Sequence, residues 1–305
     1  MLKENKFKYF KKGLWDRYDG WRVRNVDAVF SVIPYFLRTR MDAQYFFEES
    51  LNIDYIEEFI KKHKEDIPNL SIMHVVMAPL VWPMSQRPHL NRFVIWNKIY
   101  ARNHMNFSIA VKRSLSDEGE ETLIKPYFQP SDTLQDVVRK VVNEQLSNQQ
   151  VGQKNSSDTI SKILGILPDF MLRFVVFLLL HMDKIGIMPK FINQASPWHS
   201  SIFLTNIGSI GVESIYHHLY EFGTCSLFVA MGKKSRNHSL DKEGALKVHK
   251  SIQLKFVLDE RICDGFYYAS SMRMLNKILM EPSLLLLPPE KVLIDEGVGK
   301  KRLDL

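Results

Sequence analysis

The stretch Val257–Met272, VLDERICDGFYYASSM, constrains the chain more than any other segment. Just upstream, Ile252, Leu254, Phe256 and Leu258 alternate with Gln253, Lys255 and Asp259, the two-residue period of a strand that buries one face. One further step of that alternation puts Glu260 on the apolar side. Asp264 then stands where a helix N-cap belongs, and Tyr268, Met272, Leu275 and Leu279 follow at core spacing until Pro282 ends the helix. A strand that turns through Asp-Gly into a helix can present a side chain at a cleft. Here that side chain is Glu260.

The remaining sequence supplies partners for this unit. Asp42–Asn52 is rich in strand-forming aromatics, and Asp54 with Glu57 has capping-box spacing ahead of a helix carrying Ile56, Phe59 and Ile60. Leu70–Gln86 is apolar on most sides and predicts a buried helix that Pro79 and Pro83 kink or break. Phe107, Ile109 and Val111 alternate with Ser108, Ala110 and Lys112 as a half-buried strand, with EETLIKPYF as its hairpin partner. Ser131 or Asp132 caps a helix bearing Leu134, Val137, Val138 and Val141, and Ser147–Ser157 follows as a loop. SIFLTNIGS and CSLFVAMGKK are two more strands, with SRNHSLDKEGA as the hairpin loop before the last strand. Residues 1–25 form an N-terminal arm, 26–288 one domain and 289–305 a tail.

With 305 residues, 45% hydrophobic and 25% charged, the chain can bury one large core. Its net charge of +7 is spread along the whole chain without the basic and aromatic repeats of a nucleic-acid reader, and remains compatible with an anionic cofactor. Cys225 and Cys263 each lie in an apolar stretch without metal-ligand spacing, which argues against a disulfide framework or a metal site and for a cytoplasmic location. The N-terminus lacks the apolar run of a signal peptide. In Phe170–Pro189 the uninterrupted apolar run, Phe174–Leu180, is far shorter than the roughly 20 residues of a bilayer span. The expectation is a buried helix without stable membrane insertion.

Four ordered markers give the chain a resemblance to a known family. DAQYFFEESLNIDYIEEF, RPHLNRFVIWNKIYARNHMNFSIAVK, IFLTNIGSIGV and DERICDG resemble, in order, the opening strand and helix, the Pro-x-Leu-Asn segment, the oxyanion strand and the His-x-x-x-Asp-Gly motif of the 2-oxoacid dehydrogenase acyltransferases and their relative chloramphenicol acetyltransferase. The resemblance implies an α/β two-layer sandwich, a mixed sheet covered by helices. It further implies a homotrimer with sites at subunit interfaces, using coenzyme A or acyl-CoA as substrate and no metal. The acceptor is then a small molecule, or a lipoyl group on another protein, because this sequence has no lipoylation site of its own.

Carried over by position, Thr205 is the hydroxyl that steadies the oxyanion and Asn206 its neighbour in the motif. Asp264 and Gly265 match the motif's Asp-Gly, and Arg38 or Arg40 is the expected partner of Asp264. The histidine position is occupied by Glu260. A free glutamate titrates near 4.3 and a histidine near 6.5, a loss of roughly 3 kcal/mol in proton affinity. His199, just before the oxyanion strand, is a possible substitute base; a packing role is its plainer explanation. His217 and His218 are expected to be structural. Two functions therefore stand: a CoA-dependent acyltransferase with an altered base, and a catalytically silent trimeric protein that binds acyl-CoA or acts as a scaffold.

Overall fold

The computed structural model describes residues 6–112, 121–149, 162, 164–240 and 243–303. Ten strands and seven longer helices organise the described chain. The strands are β1 (Gly20–Arg22), β2 (Gln44–Asn52), β3 (Arg92–Ile95), β4 (Lys98–Arg102), β5 (Met105–Lys112), β6 (Glu121–Ile124), β7 (Tyr127–Phe128), β8 (Ile202–Asn206), β9 (Leu227–Leu240) and β10 (Leu246–Asp259). The helices are α1 (Ala28–Phe36), α2 (Asp54–His63), α3 (Ile72–Gln86), α4 (Leu134–Gln149), α5 (Asp169–Lys184), α6 (Lys190–Ala195) and α7 (Gly265–Met280). The main sheet runs β2-β10-β9-β8-β5-β6, with β7 also on β5, and a small sheet runs β1-β4-β3. β8 is parallel to both β5 and β9, whereas β2 pairs with β10, β10 with β9 and β5 with β6 antiparallel. The fold is the expected α/β sandwich of a mixed sheet covered by helices.

The helix layer lies on one face of the sheet. Val75, Val81 and Met84 of α3, Leu134 and Val138 of α4, and Met272, Leu275 and Leu279 of α7 share a core with Ile202, Leu204, Val229, Leu254 and Phe256. On the other face Phe203, Phe228 and Val257 form a smaller cluster with Leu219 and Cys225. Successive strand residues serve the two clusters alternately, as the pleat demands. α3 runs unbroken through Pro79 and Pro83 with eleven of its fifteen residues buried. Packing on every side outweighs the backbone hydrogen bonds that the two prolines remove.

Several sequence expectations change. β5 is buried on both faces, because Ser108 is enclosed and donates to Pro197 O at 2.6 Å. The cap of α4 is Thr133, which exchanges hydrogen bonds with Asp136 in a reciprocal box, instead of Ser131 or Asp132. The loop expected over Ser147–Ser157 starts inside α4 and lies mostly outside the described residues. Most of SRNHSLDKEGA is strand: β9 continues to Leu240, and polar Asn237 donates across the ladder to Ser251 Oγ at 2.7 Å. The N-terminal arm packs on the body, with Phe10, Trp21 and Val23 in the main core and β1 on β4.

α5 corrects the expectation of a buried helix. It is helical, but Asp183 is its one buried residue, and Phe170, Phe174 and Phe177 are 73%, 65% and 57% exposed. A run of apolar residues signals a surface that needs cover, and the cover need not come from the same chain.

Candidate active site at the end of β10

Glu260 occupies a turn that two buried charges hold in shape. Asp259 is fully buried, and the guanidinium of Arg261 doubles back onto it, with Nε on Oδ1 and Nη2 on Oδ2 both at 2.7 Å. Arg261 also donates to Leu37 O at 3.0 Å. This two-pronged pair links residues on either side of Glu260 and forces Glu260 outward. The alternation of β10 therefore stops at Asp259. Glu260 is exposed and does not join the apolar face. Its backbone N–H donates to Ala43 O at 2.9 Å, and among the described residues its carboxylate has no hydrogen-bond or ion-pair partner.

Beside that carboxylate opens a cavity of about 390 Å³. Phe30, Ile33 and Phe36 of α1 form one wall, and Tyr45, Leu258 and Tyr268 form the other. Cys263 lines it as well, its thiol pushed up to about 12 chiefly by burial. Apart from Glu260, the carboxylates at this cavity are Asp259, used by Arg261, and Asp264. Asp264 caps α7 by accepting from Tyr267 N at 2.7 Å. The expected pairing of Asp264 with Arg38 or Arg40 is not made. Arg40 is fully buried, donates to Glu221 O and Val94 O at 2.7 and 2.8 Å, and has Asp259 as its carboxylate neighbour at 4.0 Å. Gly265 lies at the mouth, where an added Cβ would meet nothing within 4 Å.

Thr205 belongs to a different part of the molecule. Ile202 and Leu204 point into the helix-side core and Phe203 into the opposite cluster, so Thr205 shares the face of Phe203, away from the helices. It is 9% exposed. In register it aligns with Ala230 of β9, and Ala230 with Lys255 of β10. Glu260 is two strands across and five residues further along, a separation of roughly 15–20 Å. Thr205 and Glu260 of one chain do not meet. Asn206, on the other face, lines a second cavity of about 480 Å³ with Ser209 and Lys234, toward the opposite end of the sheet from Glu260. The turn after β8 lies backbone against backbone on β9: a Cβ at Gly208 would stand 2.2 Å from Gly232 O.

His199, the other candidate base, is enclosed and does not line the Glu260 cavity. It is 1% exposed, with Nδ1 at 2.7 Å from Ser196 Oγ and Nε2 at 3.1 Å from Asp183 Oδ2. Burial lowers its affinity for a proton, although Asp183 opposes this. Arg17 bonds both Asp183, at 2.7 Å, and Asp19, at 2.8 Å, so the histidine sits in a buried network that fastens the end of α5 to the N-terminal arm. Lys125, which sequence reasoning missed, donates to the carbonyls of Asn193, Gln194 and Ser196 at 3.2, 3.2 and 2.8 Å, and burial pulls its ammonium down to about 7. His217 stacks on Phe228 with ring centroids 4.4 Å apart, which is a packing role. The Asp259–Arg261 pair was also missed, although its signal was present as opposite charges two residues apart around the motif position. Among the described residues no cluster of ligands suits a metal ion.

Comparison with known proteins places this geometry. Residues 193–287 match the family model described as 2-oxoacid dehydrogenases acyltransferase (catalytic domain). No curated protein matches the chain in sequence. A dihydrolipoamide acetyltransferase of Azotobacter vinelandii superimposes with a TM-score of 0.54 at 12% identity, covering 85% of this chain and 89% of that one. A probable dihydrolipoamide acetyltransferase of Listeria monocytogenes gives 0.53 at 10% identity, covering 84% and 93%. A truncated catalytic core of the 2-oxoacid dehydrogenase multienzyme complex from Thermoplasma acidophilum gives 0.50 at 12% identity, covering 84% and 96%. The chain therefore has the fold of the dihydrolipoamide acetyltransferases, and the segment 193–287, which holds Thr205, Glu260 and Asp264, carries the sequence pattern of the 2-oxoacid dehydrogenase acyltransferase catalytic domain.

Proposed function

We propose that the protein is a CoA-dependent acyltransferase in which Glu260 replaces the histidine base and the site is completed by Thr205 of a neighbouring copy in a homotrimer. One observation carries this reading: the Glu260 carboxylate, at the motif position, stands at the mouth of an apolar cavity with no ion-pair partner among the described residues. A salt-bridged glutamate would have favoured the silent alternative.

The cavity suits the acyl acceptor, whose hydroxyl or thiol would lie next to Glu260. The carboxylate accepts the acceptor's proton as its oxygen or sulfur bonds to the thioester carbonyl carbon. The carbonyl oxygen becomes an oxyanion, to which the Thr205 hydroxyl of the adjacent copy donates. Collapse re-forms the carbonyl, breaks the carbon–sulfur bond to coenzyme A and returns the proton from Glu260 to the departing thiolate. A thiol acceptor, with an ordinary pKa near 8.5, asks less of a weak carboxylate base than an alcohol does. The second cavity, beside Asn206, supports a separate approach for the coenzyme.

The test is acyl transfer from acetyl-CoA to dihydrolipoamide or a small apolar thiol, followed by mass spectrometry of the acylated product. Glu260→Gln keeps the shape but accepts no proton and should lower the rate by about 10²–10⁴-fold. Thr205→Val should lower it by about 10²-fold or more. Saturable acetyl-CoA binding without turnover, combined with transfer gained by Glu260→His, would establish a silenced site instead.

A further inference from the structure

α5 is apolar on both of its faces. Leu172, Val175, Leu179 and Met182, spaced three and four apart, make the half-buried side. The outward side carries Phe170, Phe174, Phe177 and Leu178, where a surface helix ordinarily carries polar residues. This stripe continues into exposed Ile185 and Ile187. Arg17, bonded to Asp183, sets the N-terminal arm against the same end of the helix, and the arm adds Leu14 and Trp15, 90% and 66% exposed.

Positive charge rims this apolar surface. Lys11, Lys12 and Lys184 are exposed, and Lys300 bonds Lys11 O at 2.9 Å, which brings Lys301 and Arg302 alongside. The carboxylates at this end are already neutralised, Asp183 by Arg17 and His199, and Asp16 by Arg24 and Lys300. Asp169, at the far end of α5, and Glu296, whose carbonyl accepts from Gly299 N just before Lys300, are the exposed exceptions.

We propose that this surface docks the protein peripherally on an anionic lipid bilayer, with the phenylalanine stripe and Trp15 in the interfacial layer and the surrounding lysines and arginines on lipid phosphates. Exposed aromatics flanked by unneutralised cations match the two needs of an interfacial anchor, apolar area and attraction to anionic headgroups. Among the described residues no helix is long and apolar enough to cross a membrane, so α5 lies along the surface. The proposal does not depend on the acyl-transfer reading.

The experiment is co-sedimentation of the full chain with phosphatidylcholine vesicles, with and without phosphatidylglycerol. Binding should require the anionic lipid and weaken as salt is raised. Phe174→Ser with Phe177→Ser should lower binding at least tenfold with an unchanged thermal melt, since both side chains are exposed. Lys11→Glu with Lys12→Glu should lower it more than tenfold, each cation being worth roughly fivefold. Absence of sedimentation with either vesicle would overturn the proposal. So would a double-serine variant that binds vesicles like the wild type but changes size in light scattering, because the stripe would then be a contact between copies.

Discussion

Glu260 owes its position to its two neighbours. Asp259 and Arg261 bind each other in a buried, two-pronged pair, and the residue between them has only one way to face. Arg40 approaches the same carboxylate, so Asp259 is shared by two buried cations. Removing that negative charge takes from both their buried carboxylate and leaves only Glu221, and Asp42 for Arg261, to offset them. Asp259→Asn should cost about 3–5 kcal/mol, read as a fall in the midpoint of denaturant unfolding. Arg261→Lys keeps a charge but loses the fork, and should cost less while loosening the turn. A motif search sees positions 260 and 264; the charges that aim them are visible only once burial is known. Alternation along β10 correctly located the strand, but it could not say that the pleat ends at a salt-bridged turn and sends Glu260 toward solvent.

At the level of elements, the two motif glycines do different work. Gly208 lets the turn after β8 lie directly on Gly232, and any Cβ there collides with a carbonyl oxygen. Gly208→Ala should therefore destabilise by about 1–3 kcal/mol, while Gly265→Ala, which meets open space at the start of α7, should leave the unfolding midpoint nearly unchanged. Equilibrium unfolding of the two variants side by side tests the contrast. The other elements were legible to different degrees. Strands and helices with one apolar face, such as α2 and α7, were clear from spacing because one buried face imposes a period. β9 was cut short because its outer half is polar and is held by cross-strand side-chain bonds, such as Asn237 to Ser251. α5 was misjudged because hydropathy measures what a residue avoids, not which surface shields it.

The whole molecule bears on the site through what one chain lacks. Thr205 and Glu260 of one chain lie two strands and five residues apart, roughly 15–20 Å, so a shared site requires two copies. In a cyclic trimer each interface would join Thr205 of one subunit to Glu260 of the next. Two single variants, Thr205→Val and Glu260→Gln, should then complement: random reassembly at equal amounts regenerates about one quarter of the wild-type sites. Recovery of activity on mixing, after subunit exchange, checks this; two variants that stay inactive together, although light scattering shows that they exchange, would place both residues in one subunit's site.

The pairing of β2 with β10 also orders events in time. Tyr45, Phe46 and Phe47 leave the ribosome early, yet their ladder partners Leu258, Val257 and Phe256 are made only after β5, β8 and β9. Until β10 arrives, β2 has no strand to join, and its aromatic edge is available to any other extended chain. Closure of the sheet is a late, long-range step, slow by its topology. The segment whose Tyr45 later lines the cavity and whose Phe47 packs on the core thus has, during synthesis, much to gain from a chaperone.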